Sequence, residues 1–308
     1  STNGWIPTSD ITNAFDHTAP PTQKAIFAYG STGSYVSLKN LVNSSGVIAA
    51  DVTGVGTARS YLAAAGYGGD KGIFGYGTTG SYVSLTNLVG NTGTVAADIT
   101  GVGTARGYLA ATGYGTDKAI FAYGYTGSNV SMSNLVSNSG VVAADVTGVG
   151  TARRGVGACS YGTDKAIFGY GFTGSAVSVS NLVNSSGVIA SDVTGVGTAR
   201  YYLAATSYGT DKGIFAYGNT GSVVSLSNLV SNSGVVAADV TGVGTARYGL
   251  AAARYGGDKA IFAYGFLTGG TPTSLSNLVS NVGVVASDTT GVGSARGALA
   301  ASEFSYAA

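Results

Sequence analysis

Charge is what this chain lacks most. Only 9% of its 308 residues are Asp, Glu, Lys or Arg, against about 25% in ordinary soluble domains. The net charge is +1, with no basic run, which argues against a nucleic-acid partner held through phosphate contacts. A single cysteine, Cys159, excludes an internal disulfide and a cysteine-rich metal site. A single histidine, His17, leaves His17 or Cys159 as the only start for a Ser-His-Asp or Cys-His arrangement. Long apolar runs are also missing. The charge-free stretch 119–144 is broken by Gly, Ser and Asn, unlike the roughly 20 mainly apolar residues of a transmembrane helix. The start, Ser1-Thr2-Asn3-Gly4-Trp5, has no charged-then-apolar leader. The expectation is synthesis in a cytoplasm without the usual secretory export.

What the chain has is glycine (51 residues), tyrosine (20 residues) and self-similarity. The stretch Asp117-Lys118-Ala119-Ile120-Phe121-Ala122-Tyr123-Gly124 returns six times in variant form. Its lysine falls at Lys24, Lys71, Lys118, Lys165, Lys212 and Lys259, 47 residues apart each time. Each unit also carries an asparagine (Asn40, Asn87, Asn134, Asn181, Asn228, Asn277), an aspartate (Asp51, Asp98, Asp145, Asp192, Asp239, Asp288) and an arginine (Arg59, Arg106, Arg153, Arg200, Arg247, Arg296). The sixth copy is two residues longer, between Phe266 and Thr273. Residues 1–22 lie outside the repeat and hold Trp5, His17, Pro7, Pro20 and Pro21. They read as an extended arm, lying on the domain or docking it to a larger assembly.

One unit predicts four strands: Arg106–Thr112, Lys118–Tyr123, Asn129–Val136 and Gly140–Asp145, with turns rich in Gly, Asn and Asp. No window has the 3.6-residue period of a helix. The Ala-Ile-Phe-Ala-Tyr strand is apolar on both faces, as a strand between two other sheets must be. Periods of this length mean a solenoid, a propeller or an array. The first unit starts at the aromatic strand, and the chain ends with the small apolar strand that unit lacks, 296–304, where Phe304 takes the place of Tyr208 and Tyr255. The expected architecture is therefore all-β: a six-bladed β-propeller of four-stranded blades over 23–308, closed by its last strand.

The order Ala-Arg, small apolar strand, Tyr-Gly-Gly-Asp-Lys-Ala-Ile-Phe-Ala-Tyr-Gly, then Val-rich strands returning to Ala-Arg, resembles the Kelch repeat over 23–304. It has one glycine, Gly124, where Kelch repeats carry a Gly-Gly pair, and Val141 and Val142 near the Kelch tryptophan position. The wording is also similar to tandem repeats of virion and tail-associated proteins of tailed bacteriophages. That resemblance implies a virion setting (tail, fibre or capsid surface), other virion proteins as partners and synthesis in the host cytoplasm.

Catalysis needs a unique constellation of groups with separated pKa values. Eleven of the 14 acidic residues are repeat positions, leaving Asp10, Asp16 and Glu303. Cys159 stands where other copies have Ala65 or Thr112, and reads as a small buried thiol. The expectation is no enzyme, no cofactor and no metal, with a ring of six aspartates as the minor alternative. The repeated Asp and Arg read as structural ion pairs. Asp145 and Arg153 lie eight residues apart, and their pairing within a blade or to the next one stays open.

Comparing the six copies shows two variable sets. One follows the aromatic strand: Ser31, Thr78, Tyr125, Phe172, Asn219, Phe266. The other follows the arginine: Ser60-Tyr61, Gly107-Tyr108, Arg154-Gly155, Tyr201-Tyr202, Tyr248-Gly249, Gly297-Ala298. Strand order puts both on one face. The candidate binding residues are therefore Tyr61, Tyr108, Tyr125, Arg154, Phe172, Tyr201, Tyr202, Tyr248 and Phe266. An aromatic, nearly uncharged face suits a sugar or protein partner. The alternatives are packing between blades, and a free lectin-like protein with several similar sugar sites.

Overall fold

The computed structural model describes residues 23–304, and the expected arm, residues 1–22, lies outside that range. Eighteen strands follow in order: β1 (Lys24–Ala28), β2 (Lys39–Val42), β3 (Ala63–Tyr67), β4 (Lys71–Gly75), β5 (Thr86–Val89), β6 (Ala110–Tyr114), β7 (Lys118–Ala122), β8 (Ser133–Val136) and β9 (Gly157–Tyr161). They continue with β10 (Lys165–Phe172), β11 (Ala176–Val183), β12 (Ala204–Tyr208), β13 (Lys212–Ala216), β14 (Ser227–Val230), β15 (Ala251–Tyr255), β16 (Lys259–Ala263), β17 (Ser276–Val279) and β18 (Ala300–Phe304). The helical content of the described residues is one 3₁₀ turn, Thr268–Gly270.

These strands make six three-stranded antiparallel sheets, a propeller-like tandem-repeat architecture. Five sheets use consecutive strands, from β3-β4-β5 to β15-β16-β17; the sixth is β18-β1-β2. There β18 runs antiparallel to β1, with Lys24 opposite Phe304 and Ala28 opposite Ala300.

The sheets have three strands, not the four expected. The predicted outer strand 140–145 touches β8 only at two isolated bridges, Val136 to Val142 and Ser133 to Val146. Those partners are three positions apart on β8 and four apart on the outer segment. The extra residue is a bulge that breaks the ladder, and it frees Asp145 to turn toward Asn134. The inner strand starts at Ala110 rather than Arg106, because Tyr108 has φ 59° and leaves the extended region. The third strand starts at Ser133 rather than Asn129. Only β10 and β11 reach the predicted length, with a register shift between Gly169 and Gly171.

The middle strand explains the stacking. In β7 the exposed Lys118 is followed by four buried residues. Ala119 and Phe121 pack with Ala63, Tyr67 and Ile73 of the preceding sheet. Ile120 and Ala122 pack with Ala158, Ala166 and Phe168 of the following one. Burying each large side chain contributes about 1.5–3 kcal/mol. The hydrophobic core is divided into six such clusters, each between two sheets; one joins β15 and β16 residues to Ala25, Phe27 and Ala301. A Tyr–Phe pair recurs at each interface, edge-to-face at five of the six, for example Tyr123 on Phe168 at 5.4 Å and Phe27 on Tyr264 at 5.5 Å.

Candidate binding face

The repeated polar residues form a network inside each sheet. Arg106 is fully buried. Its Nε donates to Tyr123 O at 3.0 Å, Nη1 to Thr104 O at 3.2 Å and Nη2 to Asn134 Oδ1 at 2.7 Å. The guanidinium lies 4.3 Å from the centre of the Tyr76 ring of the preceding sheet, and the Tyr76 hydroxyl donates to Val102 O at 3.1 Å. The other copies repeat the scheme, except that Arg247 Nε has no partner among the described residues.

The acid near Arg106 is Asp145, 3.9 Å away. The pairs are therefore Arg59–Asp98, Arg106–Asp145, Arg153–Asp192, Arg200–Asp239, Arg247–Asp288 and Arg296–Asp51. Five of the arginines meet the aspartate that follows by almost a whole repeat, Arg296 meets the first one, Asp51, and none meets the one eight residues before it. Contacts of 3.7–3.9 Å are long for an ion pair, and the aspartate's shorter bonds go elsewhere. Thr104 Oγ1 donates to Asp145 at 2.6 Å and Asn134 Nδ2 at 2.9 Å. Burial alone raises the Asp145 pKa; the bonds from Thr104 and Asn134 and the Arg106 charge outweigh it and hold the carboxyl below its ordinary value. Among the described residues no three His, Cys, Asp or Glu side chains are grouped to hold a metal ion. Cys159 is buried, and burial pushes its thiol up to about 12.

The variable positions meet in space. The two sets bridge each other one to one: Ser31 with Gly297, Ser60 with Thr78, Gly107 with Tyr125, Arg154 with Phe172, Tyr201 with Asn219 and Tyr248 with Phe266. Just inside them runs a cycle of six backbone hydrogen bonds. Tyr108 N donates to Tyr61 O, Gly155 N to Tyr108 O, Tyr202 N to Gly155 O, Gly249 N to Tyr202 O, Ala298 N to Gly249 O and Tyr61 N to Ala298 O, at 2.7–2.9 Å. All six residues have φ between 51° and 64°. Gly155 and Gly249 adopt that region freely; for Tyr61, Tyr108, Tyr202 and Ala298 it costs on the order of 1 kcal/mol or more each.

That left-handed turn sets where the tyrosines go. Tyr61 and Tyr108 rings are 4.0 Å apart, Tyr108 and Tyr202 5.7 Å, and Tyr61 and Tyr202 6.0 Å. Tyr61 leads into β3 and Tyr202 into β12, three sheets apart, so rings from separate sheets converge. They cap a cavity of about 120 Å³ lined below by Leu62, Leu109, Val156 and Leu203. Burial pushes the Tyr202 hydroxyl to about 12, and the nearby Tyr108 hydroxyl adds to this. Tyr61 is raised too, by burial and then by Tyr108 and Tyr202.

The other rings extend this patch. Tyr125 joins Tyr108 at 6.4 Å; Tyr201 joins Tyr202 at 4.9 Å and Phe172 at 4.9 Å; Tyr248 joins Tyr202 at 6.2 Å and Phe266 at 5.5 Å. All eight predicted aromatics thus belong to one contiguous patch, half-buried against one another rather than standing free. Arg154 lies 4.5 Å from the Tyr125 ring centre and 5.0 Å from that of Phe172. Two members escaped the sequence reading. Tyr82 packs on Tyr125 at 6.0 Å, and Asn129 donates to Phe172 O at 3.1 Å. Both occupy a third variable position, which reads Tyr35, Tyr82, Asn129, Ala176, Val223 and Pro272 across the copies. That variation was the available signal. Comparison of the chain with protein-family models and with curated proteins finds no match.

Proposed function

We propose that the six sheets are blades of a closed propeller and that the chain is a non-enzymatic binding module whose aromatic face takes up a carbohydrate on a host surface. One observation carries the reading: eight aromatic side chains beside the strands of five of the six sheets form one contiguous patch at a single end of the inner strands. Flat rings with hydroxyl tips offer large contact area at low entropy cost and hydrogen bonds at their edges. The six-membered hydrogen-bond cycle supports closure of the ring. On the resemblance of its repeat to those of virion and tail-associated proteins of tailed bacteriophages, we place the module on a virion, with other virion proteins as neighbours.

The patch is uneven: tyrosine at three cycle positions and Gly or Ala at the other three. That favours one composite site over the several equivalent sites of a free multivalent lectin. The test is a glycan array and whole-cell binding with the native protein and a Tyr108→Ala, Tyr201→Ala, Tyr248→Ala variant. Binding by the native form alone is expected. Equal binding by both, or by neither, refutes recognition by this face.

A further inference from the structure

The aromatic face carries one charge. At the first variable position after the repeat arginine the copies read Ser60, Gly107, Arg154, Tyr201, Tyr248 and Gly297, so Arg154 is a departure from the repeat. The six repeat arginines are buried and fixed by carbonyls, asparagine and aspartate. Arg154 instead is half-buried and makes no ion pair among the described residues. The acids of the described chain are engaged elsewhere: the Asp145 set with the repeat arginines, Asp70, Asp164, Asp211 and Asp258 with the lysines that follow them, and Asp117 with Asn138. Glu303 lies with Gly66, Tyr67 and Lys118, at the other end of the inner strands.

Its geometry is set in advance. Arg154 N and O both bond to Phe172, at 3.2 and 2.8 Å, and the guanidinium rests on the rings of Tyr125 and Phe172. The Tyr202 hydroxyl lies within bonding reach of the guanidinium, and a planar guanidinium held by stacking, with five N–H donors, keeps others for a two-pronged bond to a carboxylate or sulfate. We propose that the ligand of the aromatic face is an acidic glycan, whose carboxylate or sulfate binds Arg154 while its sugar rings lie on the neighbouring tyrosines. This rests on the carbohydrate reading above and names the ligand's charge. A peptide fits less well, because extended peptides are recognised largely through main-chain hydrogen bonds. Here the face's main-chain groups bond one another around the cycle and across the Arg154–Phe172 bridge.

The experiment measures binding of the whole protein to sialylated, uronate-bearing and sulfated oligosaccharides. Each is paired with its neutral counterpart: desialylated, methyl-esterified or desulfated. Poly-glutamate serves as an acidic peptide control. The native protein should bind at least one acid at least about tenfold tighter than its neutral partner, as loss of a charge-assisted bond implies. That preference should shrink with added salt. Arg154→Met, which keeps the stacked stem, should bind the two equally, and Arg154→Lys should retain part of the preference. Equal binding of acid and neutral partner by the native protein overturns the inference while leaving the carbohydrate reading standing. Poly-glutamate binding as tight as the best sugar overturns the glycan assignment. Failure to bind any probe, or unchanged sugar binding by the Tyr108, Tyr201, Tyr248 variant, sinks both readings.

Discussion

Replacing Arg106 with methionine tests the buried network most directly. The guanidinium satisfies Tyr123 O, Thr104 O and Asn134 Oδ1, and covers the Tyr76 ring. Thr104 is exposed and its carbonyl can turn to water, so the loss concentrates on two acceptors, Tyr123 O and Asn134 Oδ1. Each buried acceptor left without a donor costs about 1–3 kcal/mol, and the cation–π contact adds roughly 1–2 kcal/mol. Removing the charge returns part of its desolvation penalty. The net expectation is a loss of about 3–5 kcal/mol, a large share of the roughly 5–15 kcal/mol by which domains are stable. Urea denaturation followed by tyrosine fluorescence reads it out. A second variant separates hydrogen bonding from packing: Asn134→Leu added to Arg106→Met should cost less than the sum of the two single changes, since one orphaned acceptor disappears. A loss below about 1 kcal/mol for Arg106→Met would refute the reasoning, because the arginine would then be a passenger in its own cavity.

Acid should weaken the protein through the Asp145 set, whose ordinary value is 3.8 and whose folded values are depressed. Depressed carboxyls stabilise above the unfolded value, so stability should fall as pH drops below about 4; urea midpoints flat from pH 6 to about pH 3 would contradict this. Alkali should act through Tyr202, raised from 10.0 to about 12. A raised tyrosine contributes stability that is intact below pH 10 and lost as pH climbs toward 12, so tyrosinate absorbance should show a late-titrating class that also holds Tyr61 and Tyr264 and that loses one member in Tyr202→Phe. The Cys159 thiol should resist alkylation in the native protein and react at the rate of global opening, since it is 2% exposed; labelling without denaturant at the rate of a free thiol would place it elsewhere.

The middle strand was legible because an apolar pattern on both faces has one reading in a sheet protein, and β7 runs Lys118–Ala122 where Lys118–Tyr123 was expected. The outer strand was not, because the bulge opposite Ser133 and Val136 leaves no mark in a Val-Val-Ala-Ala-Asp string. Spacing along the chain suggested Asp145 with Arg153; the fold brings Asp145 to Arg106, which precedes it by nearly a repeat. Variation among the copies indicated that Tyr61, Tyr108 and Tyr202 share a face. Their convergence was hidden, because it follows from φ values near 55° at those residues, and side-chain identity does not encode backbone handedness.

The pairing of Lys24 with Phe304 has a consequence for assembly. Middle strands β1, β7 and β16 have the same sequence, Lys-Ala-Ile-Phe-Ala, so β18 finds the same edge on each of them. Sequence therefore does little to choose β18's partner; the tether does, by holding one edge at a high effective concentration. A second chain at comparable concentration offers an equivalent edge, and two chains that trade their last strands keep every contact of the single chain. Refolding from dilute solution should then favour single chains and refolding from concentrated solution exchanged pairs built from the same interfaces, a difference that size-exclusion chromatography reads out.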